Sequence, residues 1–84
     1  MGKLTELPNV GRVLEEKLKA VGITTAEELK KVGAKAAFLR LREQDPGACL
    51  HELLALQGAV CGVRKYDLPS SVQDDVRTFF KGLK

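Results

Sequence analysis

The side chains able to do acid–base, nucleophilic or metal chemistry are few in this chain and lie far apart. His51 is the only histidine, and Cys49 and Cys61 are the only cysteines. A general base needs a proton-bearing partner within reach, and no serine, cysteine or carboxylate stands at a spacing from His51 that would serve it. It reads as an exposed histidine on a helix, one turn from Leu54. The cysteines form no CxxC pair and have no histidine partner at metal-like spacing, so neither a zinc site nor a disulfide framework is expected, only buried or free thiols. Asp74 and Asp75 open a helical pattern, where carboxylates complement the positive end of the helix dipole, and that role suits them better than acid and base. The expectation is a protein without a catalytic site, metal ligand, cofactor or evident small-molecule substrate.

One segment has a chemistry of its own. Leu7-Pro8-Asn9-Val10-Gly11, a helix ending in Val21-Gly22-Ile23, and then Thr24-Thr25-Ala26-Glu27-Glu28-Leu29 together resemble the helix-hairpin-helix motif. A tight turn there would expose the amides of Asn9, Val10 and Gly11 at a helix N-terminus, where unpaired N–H groups and the dipole suit a phosphate oxygen without reading any base. Arg12, Lys3 and Lys19 would supply positive charge nearby. Asn9 stands where a first glycine is usual, and the seven residues before Pro8 leave room for at most one helical turn. Two readings stay open: a phosphate clamp, or a compact start to the helix. A second candidate surface is Arg64-Lys65-Tyr66, because Arg and Tyr are enriched where protein interfaces concentrate their energy.

The elements that must position these residues are all helical. Val13, Leu14, Leu18 and Val21 recur at helical spacing and predict a helix over 12–21, closed by Gly22 with Ile23 folding back in a Schellman-like turn. Thr25 and Glu28 have the spacing of a capping box, which predicts a second helix over 26–32 with Leu29 and Val32 inward. Gly33 breaks the chain, and Ala34, Ala37, Phe38 and Leu41 mark a third helix ending near Glu43. Asp45-Pro46-Gly47 is a turn, with Pro46 placed to seed the next helix. From Ala48 onward Leu50, Leu53, Leu54 and Gln57 predict a fourth helix, interrupted by Gly58 and Gly62 so that 59–63 forms a separate turn. Asp67-Leu68-Pro69-Ser70-Ser71 leads into a fifth, with Val72, Val76, Phe79 and Phe80 as its apolar stripe. No β-alternation occurs. The fold class expected is all-α: a compact bundle of about five short helices with a helix-hairpin-helix-like motif, forming a single domain over 1–84.

Composition narrows the partners. Apolar residues make up 44% of the chain and aromatics only 5%, so the core must be aliphatic. No apolar run is long enough to span a membrane and no signal-peptide pattern opens the chain, so a cytoplasmic protein is expected. The formal charge of +3 lies in the N-terminal half, a surplus small enough to favour nucleic acid only weakly. Lys30, Lys31 and Lys35 do not interleave with aromatics and read as a solvated face.

From Leu4 to Phe80 the chain also resembles the C-terminal domain of the TfoX competence-regulator family. The likeness is carried by Leu4-Thr-Glu-Leu-Pro-Asn-Val-Gly11, Leu18 with Val21-Gly-Ile23, Glu28-Leu29, Cys49-Leu50, Leu56-Gln-Gly-Ala59 and Gly62-Val-Arg64 followed by Asp67-Leu-Pro69. It departs at Leu54, where the family commonly has Tyr, and at Lys65 and Tyr66, where an aromatic residue and His are usual. The resemblance implies a helical module of the helix-hairpin-helix or SAM-like type and a role in regulating competence and transcription. It implies as partner a regulatory protein, a TfoX N-terminal-type domain or a second copy of the chain. Protein contact is the favoured mode of action, and weak, sequence-independent DNA binding through Asn9–Gly11 is the alternative.

Overall fold

The computed structural model describes residues 3–83 and consists of five α-helices and two single turns of 3-10 helix. The order is η1 (Leu4–Glu6), α1 (Arg12–Ala20), α2 (Ala26–Val32), α3 (Ala34–Gln44), α4 (Leu50–Cys61), η2 (Lys65–Asp67) and α5 (Ser70–Lys81). The all-α expectation therefore holds, and no strand occurs among the described residues.

The helix ends follow local chemistry. Gly22 takes φ +86° after α1, its N–H donates to Lys19 O and that of Ile23 to Leu18 O, the paired closure of a Schellman turn. At α2 the Thr25 hydroxyl accepts from Glu28 N at 3.1 Å, while the Glu28 carboxylate accepts a hydrogen bond from the Thr24 hydroxyl at 2.5 Å. That carboxylate is held below the usual range, chiefly by the Thr24 hydroxyl. The turn over 45–47 is an Asx turn, Gly47 N donating to Asp45 Oδ1. Pro46 seeds no helix, since α4 starts only at Leu50.

α4 is the centre of the bundle. Leu53, Leu54, Ala55, Leu56, Gly58 and Ala59 are all buried, so the helix is apolar nearly all round, as a helix enclosed by its neighbours must be. α3, α5 and η2 pack on it, and α1 packs on α3. Phe38 is fully buried and meets Phe80 with ring centroids 5.9 Å apart.

Asp74 and Asp75 lie beyond the first turn of α5, where they pair with Arg77 and Lys35 and do not serve the helix start as expected. Two further expectations fail here. Gly58 does not interrupt α4, which runs unbroken to Cys61. The loss of helix propensity at one glycine, about 1 kcal/mol, is outweighed by burial of the flanking leucines and by the use made of the glycine itself. Gly62 is the residue that ends the helix, at φ +78°, with Val63 N returning to Gly58 O at 2.9 Å. Val13, placed by periodicity on the inward stripe of α1, is instead 68% exposed. Leu14, Leu18 and Val21 alone define the stripe, and Val13 falls about 100° off it, on the side of Lys17.

Candidate interaction face at the hairpin

Asn9 organises this region. Its backbone is left-handed at φ +68°, a region in which Asn is among the few residues tolerated without strain. That backbone aims the side chain into the bundle. The amide nitrogen donates to Val63 O at 3.0 Å and to Ala55 O at 3.4 Å, and the amide oxygen accepts from Lys65 N at 3.1 Å. One short side chain thus ties the turn before α1 to the middle of α4 and to the segment leading into η2.

The lock needs Gly58. A Cβ at that position would lie 2.5 Å from Asn9 Nδ2, 2.6 Å from Val63 O and 3.1 Å from Lys65 N. Only glycine leaves the space that Asn9 and the closing turn of α4 occupy.

The two candidate sites read from sequence are joined by this lock. Arg12 and Val13, on the first turn of α1, face Lys65 across an open groove of about 370 Å³ whose lining includes Leu14, His51 and Ala55. Tyr66 stands on the rim at 61% exposure, its hydroxyl 3.4 Å from His51 Nδ1 and its ring under the Lys65 ammonium at 5.1 Å. Arg64 is exposed beside them. The structure does not bring in Lys19, which lies two turns along α1 beside Glu15 at 3.9 Å. Lys3 is exposed at the head of η1, its amide donating to Glu6 at 2.8 Å, and it does not line the groove. Val10 is buried, with its N–H directed to Leu7 O at 3.4 Å. Gly11 is exposed and extended at φ −94°, and nothing within 4 Å would meet a Cβ there.

Beneath the groove Lys17 joins three elements, donating to Glu52 Oε1 on α4 at 2.6 Å and to Asp45 after α3 at 3.2 Å. Glu52 and then Asp45 raise the Lys17 ammonium above its ordinary value, and Lys17, followed by the Gly47 amide, lowers Asp45. The second oxygen of Glu52 is buried without a hydrogen-bond partner. Cys49 and Cys61 are exposed free thiols, Cys61 accepting from Gln57 at 3.3 Å.

Sequence reasoning missed Val13, Gly58 and the Lys17 bridge. Val13 carried a signal, because it lies off the stripe that Leu14, Leu18 and Val21 define. Gly58 and Lys17 carried none, because their partners are far away in the chain. No three of His, Cys, Asp and Glu are grouped as a metal site would need among the described residues. No described helix is long and apolar enough to cross a membrane.

Fold and face together define a small helical module with a composite polar and apolar surface. The chain belongs to the TfoX C-terminal domain family, whose model matches residues 1–79. Protein Sxy of Escherichia coli (strain K12) is 39% identical over 67 residues, which cover 80% of this chain and 32% of that protein. The chain thus spans about a third of that relative. Two crystal forms of an uncharacterised protein from Listeria monocytogenes have the same fold at 46% identity. The triclinic form has a TM-score of 0.96, with 98% of this chain and 93% of that one covered. The tetragonal form has a TM-score of 0.95, with 98% and 100% covered.

Proposed function

We propose that this chain is a non-enzymatic, cytoplasmic regulatory module of the TfoX competence-regulator type, acting through protein–protein contact at the hairpin face. Family membership supports the regulatory part. The contact part rests on one observation: two of the large exposed apolar side chains come from opposite halves of the sequence to one groove, Val13 lining it and Tyr66 adjoining it through His51. Isolated exposed apolar residues are ordinary, but a pair set about a groove with cations at its rim is what partner contact uses.

The test is a domain exchange in a bacterium whose competence-gene reporter answers to a TfoX-family regulator. This chain, in place of the regulator's own C-terminal domain, should sustain the reporter. Val13→Asp with Tyr66→Ala should abolish it at unchanged protein level. Full activity of the double variant would refute the face.

A second reading has one observation behind it. Nothing in the fold requires glycine at position 11, neither φ nor packing, which leaves close approach of an outside group as a use for it. Gly11 and Arg12 would then hold a DNA phosphate through the backbone, the Val10 amide being already directed to Leu7 O, with affinity nearer the non-specific range of ~10⁻⁴–10⁻⁶ M. Amide shifts confined to this turn on adding a mixed-sequence duplex at low salt, and lost in Gly11→Asp, would support it.

A further inference from the structure

The surface of the hairpin face carries its own indication of the partner's chemistry. Resting on the hairpin-face reading, we propose that the groove between α1 and α4, with its Lys65–Tyr66 rim, binds a segment of a partner protein that carries carboxylates beside a large apolar side chain. The interior is apolar where Leu14 and Ala55 line it, and Val13 extends that surface outward. The rim is cationic. Arg12 is shared only with Glu16 at 3.6 Å, and neither Arg64 nor Lys65 has a carboxylate within ion-pair distance among the described residues. The groove's own carboxylate, Glu52, is engaged by Lys17 through Oε1 at 2.6 Å, and its second oxygen is buried away from the rim without a partner. Asp67 adds one exposed negative charge at the end of η2.

Charge and apolar surface together choose the occupant. A nucleic-acid backbone would satisfy the cations but set a hydrated, charged strand against Val13 and Tyr66. An acidic peptide with an aromatic or aliphatic anchor satisfies both, placing the anchor in the groove and its carboxylates at Arg12 and Lys65. A second copy fits poorly: among the described residues the other large exposed apolar side chain is Leu39, beside Arg40, so docking it here would set cation against cation.

The test selects binders to the folded domain from a phage-displayed library of random dodecapeptides and maps the best one by amide-resolved NMR. Enriched peptides should be acidic with at least one aromatic or large aliphatic residue, and should shift the amides of Val13, His51, Lys65 and Tyr66. Affinity should fall about tenfold in Tyr66→Ala and again in Lys65→Glu; Tyr66 is exposed and Lys65 half-buried, and the unchanged remainder of the amide spectrum shows that each variant is folded. Neutral or basic consensus sequences, shifts on another face, or no selection would overturn the proposal. So would a mixed-sequence duplex that moves these amides more strongly than the peptides. If the reporter still depends on Val13 and Tyr66 while acidic peptides do not bind, the face stands and only the partner chemistry is wrong.

Discussion

Gly58→Ala puts the central lock to the test, because two physical effects predict opposite signs. Helix propensity alone makes alanine in mid-helix about 1 kcal/mol better than glycine, so a Gly58 without a special role would be improved. The geometry says otherwise: the added Cβ meets Asn9 Nδ2 at 2.5 Å and the Val63 carbonyl at 2.6 Å. Relief requires either a backbone shift, at the roughly 1–3 kcal/mol typical of overpacking, or withdrawal of Asn9. Withdrawal gives up three hydrogen bonds, each worth about 0.5–1.5 kcal/mol net. With the propensity gain subtracted, a backbone shift leaves a net loss of about 0–2 kcal/mol and withdrawal of Asn9 about 0.5–3.5 kcal/mol; a loss of about 1 kcal/mol, the middle of the cheaper route, lowers Tm by roughly 4–8 °C for a chain of this size. Urea denaturation followed by circular dichroism measures it. The same substitution in an Asn9→Gly background, where the left-handed backbone is retained and the side chain is gone, should be milder by about 1 kcal/mol, since neighbouring sites couple. Gly58→Ala at or above wild-type stability, or strict additivity with Asn9→Gly, would falsify the lock.

Four further outcomes follow from the geometry. Thr25→Ala removes the side chain that accepts from Glu28 N and should lower stability by about 1 kcal/mol, measured as the midpoint of denaturant unfolding. Tyr66→Ala and Val13→Asp, both at exposed positions, should each stay within about 0.5 kcal/mol of wild type, so a larger loss would mean they are structural. Lys17→Ala should destabilise more than Lys19→Ala, because Lys17 is two-thirds covered and bridges Asp45 and Glu52 whereas Lys19 makes one exposed pair; equal midpoints would refute the bridge. The bridge also fixes a pH dependence. Asp45 lies below its ordinary carboxylate value, so its contribution is present above about pH 4 and is lost as pH falls through the lowered folded value. Lys17 lies above its ordinary 10.5, so its contribution is complete below that pH and lost as pH rises through the raised value. Thermal melts across pH should show both losses, and Lys17→Met should remove the alkaline one and weaken the acid one.

What the sequence by itself determined is everything governed by neighbours within about five residues. Gly22 after Val21 and the Thr25–Glu28 pair set the end of α1 and the start of α2, because caps and Schellman closures are made from adjacent amides, carbonyls and hydroxyls. The stripe of Leu14, Leu18 and Val21 and the dense apolar run of α4 determined which faces are buried. Local signals failed where a distant contact outweighed them. Gly58 looks like a helix breaker until Asn9 fills the space beside it, and Val13 looks like core until the packing of α1 is known. Only the tertiary structure decided that Asn9 reaches Val63 and Lys65, that Lys17 reaches Glu52, and that Arg12 and Lys65 line one groove. These groups lie tens of residues apart, and a hydrogen bond or apolar contact across such a separation leaves no periodicity or spacing in the chain. It arises from the packing of α1 on α3 and of α3 and η2 on α4, which brings them together.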